Sequence, residues 1–169
     1  MRKMIDFNGS GSWSVDEVRR RYEVYVQKYG IRSPRDLRPS VLESPNGRWT
    51  YPIMHCVIEG IESGDAACAE IGIEFIEEDA SFSFGRILKS NAARALRGIE
   101  LTEAQKDRIR ERVVRMLEVG YLPREYRQYA KLGRKIGLGD RLQRLRQQAP
   151  FGNPWAQRYY RYFEDHASD

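Results

Sequence analysis

The chain has 169 residues, 41% of them hydrophobic, with 29 Lys and Arg against 24 Asp and Glu for a formal net charge of +5. That length predicts one domain with enough core to stand without disulfide or metal staples. The two cysteines fit a reducing compartment, the polar first 13 residues read against a signal peptide, and no apolar run approaches the ~18 residues of a membrane span, so a soluble cytoplasmic protein is expected.

Residues 1–13 are polar and read as a flexible N-terminus. Ser14 followed by Glu17 forms a capping box. Val15, Val18, Tyr22, Tyr25, Val26 and Tyr29 then recur at helical spacing, and Gly30 stops the helix. Residues 31–49 carry Pro34, Pro39, Pro45 and an Asn46-Gly47 turn and read as a connector; no segment alternates well enough to be a confident strand. Thr50 with Pro52 starts a second helix, whose stripe is Ile53, Met54, Val57, Ile58 and Ile61. Asp65 caps a third, with Cys68, Ile71, Gly72, Phe75 and Ile76 inward. A fourth spans about 84–97. Thr102 and Gln105 make another capping box before a helix that ends at Gly120. Pro123 opens the next, Asp140 caps a short basic one, and Pro154 starts the last; residues 166–169 form a tail. The expectation is an all-α domain over 14–165, built of stacked antiparallel helical hairpins or an irregular helical bundle.

A shift of 38 residues places Ile71, Phe75 and Ile76 on Ile109, Val113 and Val114, and Leu88, Ala92 and Ala95 on Tyr126, Ala130 and Gly133. In this spacing the stretch from Asp65 to Ile136 resembles HEAT-type helical repeats. The resemblance implies a right-handed stack of helix pairs of a kind that binds proteins, less often nucleic acid, and is rarely catalytic.

Charge is segregated along the chain. From Val57 to Gly85 there are eight acidic residues and no Lys or Arg; from Arg86 to Arg161 there are 19 basic residues against 7 acidic. Glu70, Glu74 and Glu77 share one helical face at i, i+4 and i+7, and Glu78 adjoins them. They read as a solvated face or an acidic docking surface. The lack of any Glu-x-x-His argues against a bundle metal site, so a metal-dependent enzyme stands last among the expectations. His55, Cys56 and Cys68 match no zinc spacing, and adjacent helical residues diverge too far for His55 and Cys56 to pair. No phosphate loop, nucleophile elbow or His-Glu-x-x-His motif is present, so no catalytic residue, metal or cofactor is assigned.

The basic half is the stronger candidate. Arg108, Arg112, Arg115, Arg124, Arg127, Lys131, Arg134, Arg141 and Arg144 recur over three successive helices as a partner- or phosphate-binding surface. Tyr121, Tyr126, Tyr129, Trp155, Tyr159, Tyr160 and Tyr162 interleave with them; Tyr126 with Tyr129, and Trp155 with Tyr159 and Tyr162, stand at spacings that read first as core packing. Phe82 and Phe84 lie in a loop as an apolar contact. The expected function is non-catalytic binding of a macromolecule, with a protein partner first, nucleic acid as the alternative and an enzyme third. Self-association of the acidic helix with the basic half of a second copy is a further expectation.

Overall fold

The computed structural model describes residues 2–167, and they form a mostly helical protein with one small sheet. The chain divides into two compact units, one through Ile99 and the other from Glu100, where the sequence predicted a single helical domain. No Pro- or Gly-rich linker marks that division.

In the first unit the segment expected as a flexible terminus is a strand. β1 (Lys3–Asp6) pairs parallel with β3 (Gly47–Thr50), which pairs antiparallel with β2 (Val41–Ser44). β1 and β2 are mostly exposed, so they carry no alternation of apolar residues by which periodicity could reveal them. Backbone pairing supplies the order instead, and β2 joins β3 through a two-residue turn at Pro45-Asn46, one residue earlier than the expected Asn46-Gly47, with Ser44 opposite Gly47. Gly47 also permits β1 to approach: a Cβ there would lie 2.6 Å from the Lys3 carbonyl oxygen. Beyond β1, Asn8 accepts from the Ile53 N–H at 2.7 Å and so ties the N-terminal segment to the second helix. Thr50, expected to cap that helix, is instead the last residue of β3.

The helix starts at Ser14, Asp65 and Thr102 follow their local signals, whereas Asp140, expected as a cap, is the first residue of its helix with Gly139 at the cap position. α1 (Val15–Tyr29) is capped by Ser14, whose side chain accepts from the Glu17 N–H, and it ends at Gly30 with φ 60°. α2 (Met54–Glu62), α3 (Ala66–Glu78) and α4 (Gly85–Arg97) pack together around Ile61, Ile71, Phe75, Leu88 and Leu96, all fully buried. Asp65 caps α3 with one carboxylate oxygen, accepting from the N–H groups of Ala67 and Cys68, and takes the Tyr22 hydroxyl on the other at 2.7 Å. That single side chain thereby fixes both the start of α3 and the seat of α1. Cys68 is buried, and burial raises its thiol far above its ordinary value, so it serves as a small core residue.

The second unit contains α5 (Glu103–Val119), α6 (Tyr126–Ile136), α7 (Asp140–Gln148) and α8 (Pro154–Asp165). Its core is Ile109, Val113, Val114, Leu117, Tyr126, Tyr129, Leu132, Leu145 and Phe163. The Thr102–Gln105 capping box forms with both of its bonds. Thr102→Ala is expected to cost about 1 kcal/mol, since one N–H of the first turn loses its acceptor; urea unfolding measures it. The 38-residue echo places one packed pair, α3–α4, in the first unit and the other, α5–α6, in the second.

Candidate functional site

The acidic stripe is not a solvated face. α1 lies over it, and each of its four carboxylates is engaged or shielded. Arg21 binds Glu74 at 2.7 Å and Glu78 at 2.9 Å, and its guanidinium sits 4.1 Å from the Trp13 ring centroid. The Trp13 indole N–H donates to Glu78 at 2.8 Å, the Tyr25 hydroxyl donates to Glu74, and the Tyr29 hydroxyl donates to Glu70 at 2.6 Å. Glu70 is buried and Glu77 is half-buried with a contact of its own. The periodicity correctly placed these carboxylates away from Ile71 and Phe75. It could not show that a second helix would cover them with one arginine and two tyrosines. By composition the first unit is also electrically balanced, with 14 Lys and Arg against 14 Asp and Glu through residue 99.

The whole net charge therefore belongs to the second unit, which carries 15 Lys and Arg against 10 Asp and Glu. Within it the predicted basic surface splits in two. On the α5–α7 side the arginines are occupied. Arg141 binds Asp107 at 3.2 Å and Glu111 at 3.1 Å, and Arg144 binds Glu111 at 3.1 Å and Glu118 at 2.7 Å. Arg110 binds Asp107 and donates to the carbonyls of Ile136 and Gly137 at the end of α6. The arginine hydrogen bonds hold the Asp107 and Glu111 carboxyls below their usual range. Arg108 and Arg112 are half-buried and already engaged, while Arg115 borders a mixed-charge depression that Glu111, Glu118 and Arg144 also line. Arg124 is exposed elsewhere.

Between α6 and α8 the balance differs. Arg127 and Lys131 of α6 face Trp155, Arg158, Tyr159 and Tyr162 of α8 across a cleft of about 460 Å³ floored by Ala130. Among the described residues Arg127, Lys131 and Arg158 make no ion pair, and no carboxylate lines the cleft. Arg158 lies 5.7 Å from the Trp155 ring centroid, and Arg134 lies 5.9 Å from that of Tyr162. Burial raises the Tyr159 phenol above its ordinary value, and the charges of Arg127 and Arg158 pull it the other way, so both guanidiniums are close enough to act on it. The phenol remains a neutral wall of the cleft at physiological pH.

The local sequence explains why these aromatics turn outward. Asn153 caps α8 by accepting from the Trp155 N–H at 2.9 Å, and Pro154 occupies the first turn. The helix then buries Ala156 and Phe163, and Tyr159 packs edge-on against buried Tyr126 at 4.8 Å. The inward stripe thus sits one residue later than the spacing of Trp155 and Tyr162 suggested. One position turns a helix by about 100°, which moves Trp155 from the core to 60% exposure. Arg158, three residues after Trp155 and four before Tyr162, shares their face; its spacing was the signal available for it, and the sequence reading overlooked it.

The loop aromatics part company. Phe82 turns in against Phe75 at 5.8 Å, and Phe84 stays 41% exposed while stacking edge-on with Phe7 at 5.1 Å. Among the described residues no group of His, Cys, Asp and Glu converges as metal ligands, and no helix is long and apolar enough to cross a membrane.

Cleft and fold together define a small helical protein whose second unit presents cations and aromatic rings in one concave site. No family model, curated protein or solved structure matches this chain.

Proposed function

We propose that this chain is a non-catalytic binding protein that holds an acidic macromolecule in the α6–α8 cleft. The observation that supports it is the convergence of three unpaired cations and three aromatic side chains in the one unit that carries the net charge. Cations left unpaired by their own chain are free to exchange solvent counterions for those of a partner, so association is both steered and salt-sensitive. The groups lining the cleft bind and position; none is placed as a base beside a nucleophile. Of the two charged surfaces expected from the sequence, this reading uses the basic one, since α1 covers the acidic stripe. A second copy is a weaker partner on the same ground, because its acidic stripe is already covered.

Retention on immobilised heparin as a function of salt tests this reading. Neutralising the cleft with Arg127→Gln, Lys131→Gln and Arg158→Gln is expected to lower affinity at least tenfold. The same loss of charge outside the cleft, Arg115→Gln, Arg124→Gln and Lys135→Gln, is expected to cost far less. Equal losses from the two triple variants would show general charge rather than a site, and absence of retention in the parent protein would overturn the reading outright.

A further inference from the structure

We propose that the occupant of the cleft is a single strand of nucleic acid, with a base stacked on Trp155 and neighbouring phosphates on Arg127, Lys131 and Arg158. The inference rests on the binding reading above and names its partner class. An acidic polypeptide would be satisfied by the cations alone. Protein interfaces also use tryptophan anchors, seated in closely packed desolvated pockets, whereas this indole stands 60% exposed on a cationic face. A nucleic acid strand needs both groups at one place, a flat apolar surface for the base and cations spaced for the backbone.

The geometry favours stacking. Trp155 stands in the first turn of α8, where Asn153 and Pro154 fix the backbone beneath it, so the ring is presented from a rigid base. Arg158 on the following turn is within cation–π range of that ring, where its guanidinium can meet a phosphate while the indole holds a base. Tyr159 is braced by its contact with Tyr126 and closes the wall between them. A duplex keeps its bases paired and stacked on one another and offers the cleft only its backbone, so the aromatic side of the site selects single strands. Every base has a π face, so little sequence preference is expected.

Fluorescence anisotropy of the whole chain with labelled 12-residue mixed-sequence RNA and DNA single strands tests this, with the matching duplex, inorganic polyphosphate and polyglutamate as competitors. Single strands are expected to bind more tightly than duplex, with a salt slope of about −2 from three phosphates at roughly −0.7 each. Trp155→Ala should weaken strand binding about tenfold and leave polyphosphate binding unchanged, whereas Trp155→Phe should retain most of the affinity. Polyphosphate binding as tight as strand binding, indifferent to Trp155→Ala, would overturn the nucleic acid proposal and leave the anion-binding site standing. Preference for polyglutamate would assign the cleft to an acidic protein instead. Failure of every polyanion to bind would remove both readings.

Discussion

Tyr126→Ala is expected to destabilise the second unit by about 4 kcal/mol, the largest single effect predicted for this chain. Tyr126 is fully buried, packs against Tyr129 and Tyr159, and donates its hydroxyl to the Val113 carbonyl at 2.8 Å. Truncation would remove the ring, open a cavity between α5, α6 and α8, and take from the Val113 carbonyl the second donor it has beside its helix bond. Tyr126→Phe keeps the ring and loses the hydrogen bond alone, so about 1–2 kcal/mol is expected. Urea unfolding gives the totals, and hydrogen exchange read by mass spectrometry assigns them to residues 100–167. A loss under 1 kcal/mol for Tyr126→Ala would mean the site collapses around the deletion, contrary to its tight packing. The link to the proposed binding site is direct, because Tyr126 packs against Tyr159: the alanine variant should loosen the cleft wall, and if the cleft binds as proposed the phenylalanine variant should match the parent.

Arg21→Ala is expected to cost about 3 kcal/mol, this time in the first unit. The guanidinium is only 11% exposed and reaches Glu74, Glu78 and the Ser12 carbonyl while lying on Trp13. Removing it leaves the Glu74 carboxylate, 18% exposed, without its cation. Adding Glu74→Gln should recover part of the loss, since the residual charge is then gone. The interaction is also pH-dependent. The Arg21 hydrogen bond holds the Glu78 carboxyl below its ordinary value against an opposing effect of burial. A depressed carboxyl stabilises the fold above its unfolded pKa of about 4.3, and that contribution disappears as the pH falls through the folded value. The stability gap between parent and Arg21→Ala should therefore be full near neutrality and narrow below about pH 4.5. A gap that stays constant down to pH 3 would show that Arg21 acts through its packing on Trp13 and its bond to the Ser12 carbonyl rather than through the carboxylates.

Both residues show where reading along the chain stops. Tyr126 was legible: it sits at helical spacing with Tyr129 and Ala130, and all three are buried. Arg21 was invisible among the consecutive arginines at 19, 20 and 21, because its importance comes from carboxylates more than 50 residues away. The candidate site was legible in composition and not in selection. Nine basic residues were predicted for one surface, yet Arg141 and Arg144 are spent on Asp107, Glu111 and Glu118, and of the nine only Arg127 and Lys131 line the cleft.

What the amino acid order settles here is local. Ser14, Asp65 and Thr102 start their helices and Gly30 and Gly120 stop theirs, because a cap is a bond or a backbone angle within a few residues. Pairing across distance is another matter. β1 finds β3 over 40 residues away through backbone groups that every residue shares, so no side-chain pattern announces it. Charge behaves the same way: α1 folds onto α3 and neutralises the acidic stripe, while α6 and α8 come together with no carboxylate between them. A sequence counts charges, and only folding determines which of them cancel.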